Sequence, residues 1–287
     1  MHPPEAQAVF ITGLKRSGTT IFWESFRKDP DTLCYDEPFH PSLWEGKRTN
    51  GKGTWTELAQ FWSNIDDRDQ GLFKPILADD ELDLNISRHQ IGYLRQLVDS
   101  GRHVVIDEVR AWNKLPDLFP NDRKIFCIHL LRDPLNWVTA HLLPNAHFSW
   151  SRPRDIYQTF SFFWRRGDYN NWRYQYIVEN ALDADHSIFK IFQRSCKEIR
   201  NQTALIKLLA FWWAANVETH KRLRSWHNGR VLTLTLDEFT AHPEKCLTTA
   251  YEMAGWDLPP TWDFGFIKPV RPRWKPTSPN WHSALTP

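Results

Sequence analysis

Five short runs rich in apolar and β-branched residues punctuate the chain: Ala8 to Thr12, Thr32 to Tyr35, His103 to Asp107, Lys124 to Leu131 and Arg230 to Leu236. Longer helical or loop segments separate them, a spacing that predicts parallel strands joined by crossovers. Helical periodicity predicts helices over Ser17 to Lys28, His89 to Ser100, Leu135 to Leu142, part of Ile156 to Asn180, Asn201 to Trp226 and Pro243 to Ala254. Asp99-Ser100-Gly101 and His227-Asn228-Gly229 end two of these, with glycine where a left-handed cap is wanted. The fold class is therefore α/β. Residues Glu45 to Asp83 mix Gly, Thr, Asp and Trp without clear periodicity, so a lid or insertion is expected over residues 40–85. After Pro259 the chain turns rich in Pro, Arg, Lys and Trp, the composition of an extended tail over 259–287 packed on one domain. No internal repeat is present.

Composition narrows the partners. With 41% apolar residues in 287 the chain can bury a substantial core. A net charge of +2 supplies no general field for nucleic acid or a membrane surface, so the basic groups that matter are local. The four cysteines, Cys34, Cys127, Cys196 and Cys246, show neither metal-ligand spacing nor a disulfide framework and read as reduced, mostly buried thiols. No export signal opens the chain, and the most apolar later stretch, Ala204 to Val217, is short and interrupted by Lys207. A cytoplasmic protein without a membrane span is expected. The 16 tryptophans read first as core packing, and second as an aromatic wall for an acceptor or an adenine.

In open parallel sheets ligands bind at the carboxyl ends of the strands. The residues just past those ends are Gly13 to Thr20, Asp36-Glu37, Glu108 and Arg110, Arg132-Asp133, and Asp237-Glu238, so charged groups gather on one rim. The first of these, Gly13-Leu14-Lys15-Arg16-Ser17-Gly18-Thr19-Thr20, joins a strand to an apolar-periodic helix. Free N–H groups at the helix start and two threonine hydroxyls suit an anion, with Ser17 otherwise an ordinary N-cap. A nucleotide-hydrolysing loop would place lysine after Gly18, where this chain has Thr19.

At these residues the sequence resembles the sulfotransferase superfamily, and Arg16-Ser17-Gly18-Thr19-Thr20 is most similar to its tyrosylprotein-sulfotransferase-like and bacterial branches. The resemblance implies a P-loop-like parallel sheet flanked by helices, the sulfotransferase fold. It also implies transfer of a sulfuryl group from 3′-phosphoadenosine 5′-phosphosulfate to a hydroxyl or amine, leaving adenosine 3′,5′-bisphosphate. Lys15, Arg16, Ser17, Gly18, Thr19 and Thr20 would then hold the 5′-phosphosulfate, and Arg132, in Arg132-Asp133-Pro134, would pair with the 3′-phosphate. Where the family places a serine eight residues after this arginine, the chain has Ala140, preceded by Thr139 as the replacement hydroxyl.

Glu37, in Cys34-Tyr35-Asp36-Glu37-Pro38, has the spacing from Arg16 of that branch's catalytic glutamate, with Asp36 and His40 as alternative bases. Arg16 would neutralise charge on the leaving oxygen, and Arg110 stands where related sequences carry a lysine. Sulfuryl transfer parallels phosphoryl transfer, and no acidic pair in the sequence points to magnesium. Trp213 and Asn216 resemble residues of the family's long helix, and Leu236-Asp237-Glu238-Phe239 with Pro243-Glu244 resembles a later segment in which Leu236 replaces a tyrosine. The acceptor pocket falls to Phe39–Leu84 and Ala146–Ile188, whose aromatic content fits a small-molecule, glycan or lipid-like acceptor. Two other readings remain open: a phosphotransferase using the same loop, and a nucleotide- or glycan-binding relative without catalysis.

Overall fold

The computed structural model describes residues 5–48, 62, 64–99, 103–120, 122, 124–142, 172–192, 196–226 and 230–268. Five strands form one parallel sheet: β1 Ala8–Thr12, β2 Thr32–Asp36, β3 His103–Asp107, β4 Ile125–Leu131 and β5 Val231–Thr235, in the order β2-β3-β1-β4-β5. Helices follow as α1 Thr19–Arg27, α2 Leu43–Arg48, α3 Arg88–Val98, α4 Leu115–Leu118, α5 Pro134–Leu142, α6 Trp172–Asp183, α7 Cys196–Arg200, α8 Ala204–Trp226, α9 Leu236–Ala241 and α10 Pro243–Ala254. The α/β expectation holds, and each predicted strand lies within a residue of its observed bounds. Residues 49–61 and 63 of the expected lid, residues 143–171, both glycine-containing helix ends at 100–102 and 227–229, and the tail from 269 onward lie outside the described residues.

β1 is central and fully buried, paired with β3 (Phe10 with Ile106) and with β4 (Phe10 with Cys127). A parallel strand covered on both faces cannot alternate apolar and polar positions, hence the unbroken apolar runs of β1, β3 and β4. Alternate residues serve two layers. Ala8, Phe10, Val104, Ile106, Ile125 and Cys127 face a core shared with Leu43, Tyr93, Leu94, Leu97, Leu118 and Phe119. The stretch without periodicity also feeds this core through Trp62, Ile65 and Ile76, each at most 1% exposed. Helix α1 packs on β1, β2 and β3, burying Thr19, Phe22, Trp23 and Phe26, an i, i+3, i+4, i+7 stripe. Phe26 stacks on Tyr251 of α10 with centroids 5.1 Å apart, and the Tyr251 hydroxyl donates to Asp29 at 2.8 Å.

Caps set the helix ends. Helix α3 starts at Arg88 because Ser87 and Gln90 form a capping box: the Gln90 N–H donates to Ser87 Oγ at 3.2 Å and the Ser87 N–H to Gln90 Oε1 at 2.9 Å. Helix α10 opens on Pro243 and stops at Gly255, which has φ +74°.

The chain divides into two compact units. One contains the whole sheet with its helices up to Leu131 and from Thr219 to 268. In the other, which holds the described residues from Arg132 to Glu218, Trp137 and His141 of α5 pack against Tyr174 of α6, and Tyr174 lies 5.9 Å from Phe211 of α8. The four cysteines are buried and unpaired. Trp23, Trp62, Trp112 and Trp137 are fully buried, whereas Trp213 is 53% exposed. Among the described residues no helix is long and apolar enough to cross a membrane.

Candidate active site

The loop from Gly13 to Gly18 leaves the central strand and enters α1 through a tight path. Arg16 has φ +74° and Gly18 φ +93°, both left-handed. A side chain at Gly18 would meet the Leu236 methyl groups, 2.5 Å from the nearer, so the loop and the start of α9 are in direct contact. Gly18 is also the N-cap of α1 and offers no side-chain hydrogen bond. The first N–H groups of a helix lack intrahelical acceptors, and here no capping side chain stands in their way. The residues therefore fit an anion at the start of α1, the condition for a phosphosulfate to be held there. Of the loop side chains, Lys15 is half-buried, Arg16 and Thr20 are exposed, and Ser17 and Thr19 are buried.

The root of the loop is as constrained as its tip. A β-carbon at Gly13 would stand 2.4 Å from the Leu130 carbonyl oxygen of β4, a backbone atom that cannot rotate away. Gly13→Ala is expected to cost about 1–3 kcal/mol of stability, the usual penalty for an extra methyl in a packed site. The urea denaturation midpoint measures it, and an unchanged midpoint would mean that the loop can part from β4.

At the carboxyl ends of β2 and β3 four carboxyl groups converge: Asp36, Glu37, Asp107 and Glu108. Asp36 and Asp107 are register partners, 1% and 0% exposed, and their side chains are hydrogen bonded to each other. Burial, then the charge of Glu37, pushes Asp36 well above the ordinary carboxyl range; burial, then Asp36, does the same to Asp107. Both threonine hydroxyls at the start of α1 bear on this pair: Thr20 Oγ1 donates to Asp107 Oδ2 at 3.3 Å, and Thr19 is hydrogen bonded to the Asp107 carboxyl.

This burial has a measurable consequence. A carboxyl whose folded-state pKa exceeds its unfolded value binds more protons folded than unfolded between the two values. Its contribution to stability is present below the unfolded value and is lost as pH rises through the folded one. Asp36→Asn removes one of the two acids while its amide can still donate to Asp107. The variant is expected to be more stable than wild type at pH 8 by on the order of 1–3 kcal/mol, the cost of a poorly satisfied buried group, with no gain at pH 4. Melting temperatures across that range test this, and parallel wild-type and variant curves would contradict it.

Glu37 stands differently. It has φ +39°, a left-handed conformation that glutamate rarely adopts and that the following Pro38 further restricts. Two contacts hold it there: its N–H donates to the Asp107 carbonyl at 2.7 Å, and its Oε2 accepts from Arg110 Nη2 at 3.1 Å. The Arg110 side chain is 6% exposed and that of Glu37 14%, so the ion pair is largely desolvated yet the carboxylate reaches solvent. The alternative bases are engaged elsewhere: Asp36 is buried beside Asp107, and His40, 7% exposed, accepts the Ser42 N–H on Nδ1 at 3.1 Å. Among the described residues only Arg16, Glu37 and Asp185 combine positive φ with a side chain. Strain of this kind collects where a side chain must be aimed.

Arg132 follows β4 directly and is half-buried. Asp133 precedes α5 and caps its start, its Oδ1 accepting the Asn136 N–H at 2.8 Å and its carbonyl the Trp137 N–H at 2.8 Å. Thr139 is fully buried, with its hydroxyl donating back to the Asn136 carbonyl at 3.2 Å. It would meet a phosphate only by giving up that bond. Asn216 is likewise turned to its own helix, its Nδ2 donating to the Trp212 carbonyl at 2.8 Å. Leu236, which stands where the resembled segment carries a tyrosine, is 4% exposed and covers Gly18. A concavity at the opposite, amino-terminal edge of the sheet, lined by Glu5, Asp29, Asp31, His103, Lys124 and Asp257, is separate from these groups.

Sequence reasoning placed Glu108 on the charged rim without giving it a role and did not single out Asp107. Asp107 reads as the last residue of an apolar strand; its pairing with Asp36 needs the sheet register.

No family model matches the chain, and no curated protein matches it. Among solved structures the chain is similar to a sulfotransferase from Mycobacterium avium, at 13% identity over 90% of this chain and 66% of that one, with a TM-score of 0.46. It is similar also to a sulfotransferase from Alicyclobacillus acidocaldarius, at 13% identity over 89% of this chain and 83% of that one, with a TM-score of 0.43. A third likeness is to retinol dehydratase in complex with retinol and PAP, at 14% identity over 90% of this chain and 62% of that one, with a TM-score of 0.36.

Proposed function

We propose that the chain is a sulfotransferase that moves a sulfuryl group from 3′-phosphoadenosine 5′-phosphosulfate to a hydroxyl, or an amine, of a small-molecule, glycan or lipid-like acceptor. The observation that carries this reading is the pairing of an open helix start, rooted in the central strand, with a strained, solvent-reaching carboxylate at the same edge of the sheet. The N–H groups of Gly18, Thr19 and Thr20 would hold the 5′-phosphosulfate, with Lys15, Arg16 and Ser17 completing the cradle. Arg132 is assigned to the 3′-phosphate by its place after β4, and Thr139 nearby as a secondary hydroxyl.

In the reaction Glu37 takes the acceptor's proton as that oxygen bonds to sulfur. The bond from sulfur to the 5′-phosphate oxygen breaks on the far side, and its electron pair stays with the departing adenosine 3′,5′-bisphosphate. Arg16 balances the negative charge that grows on that leaving oxygen. Arg110 holds the Glu37 side chain in place before the acceptor arrives through their 3.1 Å ion pair.

Calorimetry with adenosine 3′,5′-bisphosphate and with ATP, followed by transfer of labelled sulfate to a panel of acceptors, tests the proposal. Binding of the bisphosphate with labelled product supports it. Preference for ATP with magnesium-dependent turnover would replace it with phosphoryl transfer, and tight bisphosphate binding without turnover on any acceptor would leave a binding protein.

A further inference from the structure

Glu108 joins three segments of the site at once. Its N–H donates to the Ile11 carbonyl at 3.0 Å, and its own carbonyl accepts from Thr12 Oγ1 at 3.2 Å, tying it to the end of the central strand where the phosphate loop begins. Its side chain then reaches two turns. Oε1 accepts the Arg110 N–H at 2.7 Å and Oε2 the Phe39 N–H at 2.9 Å. The residue is 1% exposed, and a carboxylate so far from water persists only where hydrogen bonds replace hydration. Here both oxygens are committed to backbone donors. Phe39 is the third residue of the turn from Glu37 to His40, closed by the His40 N–H on the Glu37 carbonyl at 2.8 Å, and Arg110 carries the guanidinium paired with Glu37.

We infer that Glu108 is a positioning residue for the proposed transfer: one carboxylate clamps the turn bearing the base to the turn bearing its cation, so that Glu37 and Arg110 meet in one geometry. The inference rests on the sulfotransferase reading and adds to it the residue that sets the base in place. Glu108 itself touches no substrate. Asp36 and Asp107 lie near enough to feel the Glu108 carboxylate, whose two oxygens keep their place through the two N–H groups.

Glu108→Gln tests the clamp, since the amide keeps the volume but sets a donor where one N–H needs an acceptor. In the resting protein, amide exchange at Phe39 and Arg110 is expected to accelerate about tenfold or more, as loss of one hydrogen bond of roughly 1.4 kcal/mol dictates. Turnover is expected to fall about 10- to 100-fold, the effect of a small displacement of a catalytic group, with the affinity for adenosine 3′,5′-bisphosphate retained and the limb of the pH–rate profile that reports Glu37 displaced. A merely structural role would not move that limb.

Should Glu108→Gln fail to fold, replacing Phe39 with phenyllactic acid puts an ester oxygen in place of its N–H and is expected to give faster exchange at Arg110 with the same fall in turnover and displaced pH limb. Unchanged exchange at both amides overturns the clamp. Accelerated exchange with wild-type turnover and pH profile overturns the positioning role. A wild-type protein that transfers no sulfuryl group, while exchange still responds to the substitution, sinks the functional reading and leaves the clamp standing.

Discussion

Glu37→Gln is expected to lower sulfuryl transfer by about 10²- to 10⁴-fold, the usual contribution of a positioned general base. Affinity for adenosine 3′,5′-bisphosphate should stay close to that of wild type. The amide matches the carboxylate in size and can still bond to Arg110 through its oxygen, so the 3.1 Å contact has a neutral replacement. What it cannot do is accept a proton. The loop that would bind the nucleotide is anchored through Gly13, Gly18 and the Asp107 contacts, none of which uses the Glu37 side chain. Parallel loss of turnover and bisphosphate affinity would show that Glu37 shapes the cradle and is not the base. Retained turnover would move the base elsewhere, and His40→Asn would then be the next comparison.

Replacing Arg16 is expected to reduce turnover by roughly 10²- to 10³-fold, the scale seen when one donor to a developing anion is removed. The choice of replacement separates chemistry from folding. Arg16 has φ +74°, and a left-handed residue with a β-carbon costs about 1–2 kcal/mol that glycine does not. Arg16→Gly relieves that strain while adding freedom to the unfolded chain, so its stability should match wild type to within about 1 kcal/mol. Arg16→Ala keeps the strain and loses the guanidinium. Turnover should therefore fall alike in both variants while only the glycine variant regains stability relative to alanine. Denaturant midpoints beside single-turnover rates check this; turnover that tracks stability across the two would show that Arg16 matters to the fold alone.

The two expected results rest on residues of different legibility. Arg16 and Gly18 announce themselves because a strand, a basic and hydroxyl loop and an amphipathic helix are consecutive in the chain. The residues that would line an anion cradle there are neighbours in the chain, while the contacts that anchor them, to Leu130, Leu236 and Asp107, are not. Glu37 was readable as a candidate through its place after a strand. That it outranks Asp36 in exposure comes from packing: Asp36 faces Asp107 across the sheet, and Glu37 turns out of it at φ +39° under the pull of Arg110.

The same contrast runs through the whole molecule. Local sequence determined the five strands, the bounds of α10 and the loop that leads from β1 into α1, since covered parallel strands demand continuous apolar runs and caps are written within one turn of the helix they end. Tertiary structure alone decided the order β2-β3-β1-β4-β5, the entry of Trp62, Ile65 and Ile76 into the core, the contact of Leu236 with Gly18 and the reach of Glu108 to Phe39 and Arg110. Phe39 lies 69 residues from Glu108 in the chain. Nothing near either one encodes their meeting, because a hydrogen bond across such a separation exists only after the sheet has brought the ends of its strands together.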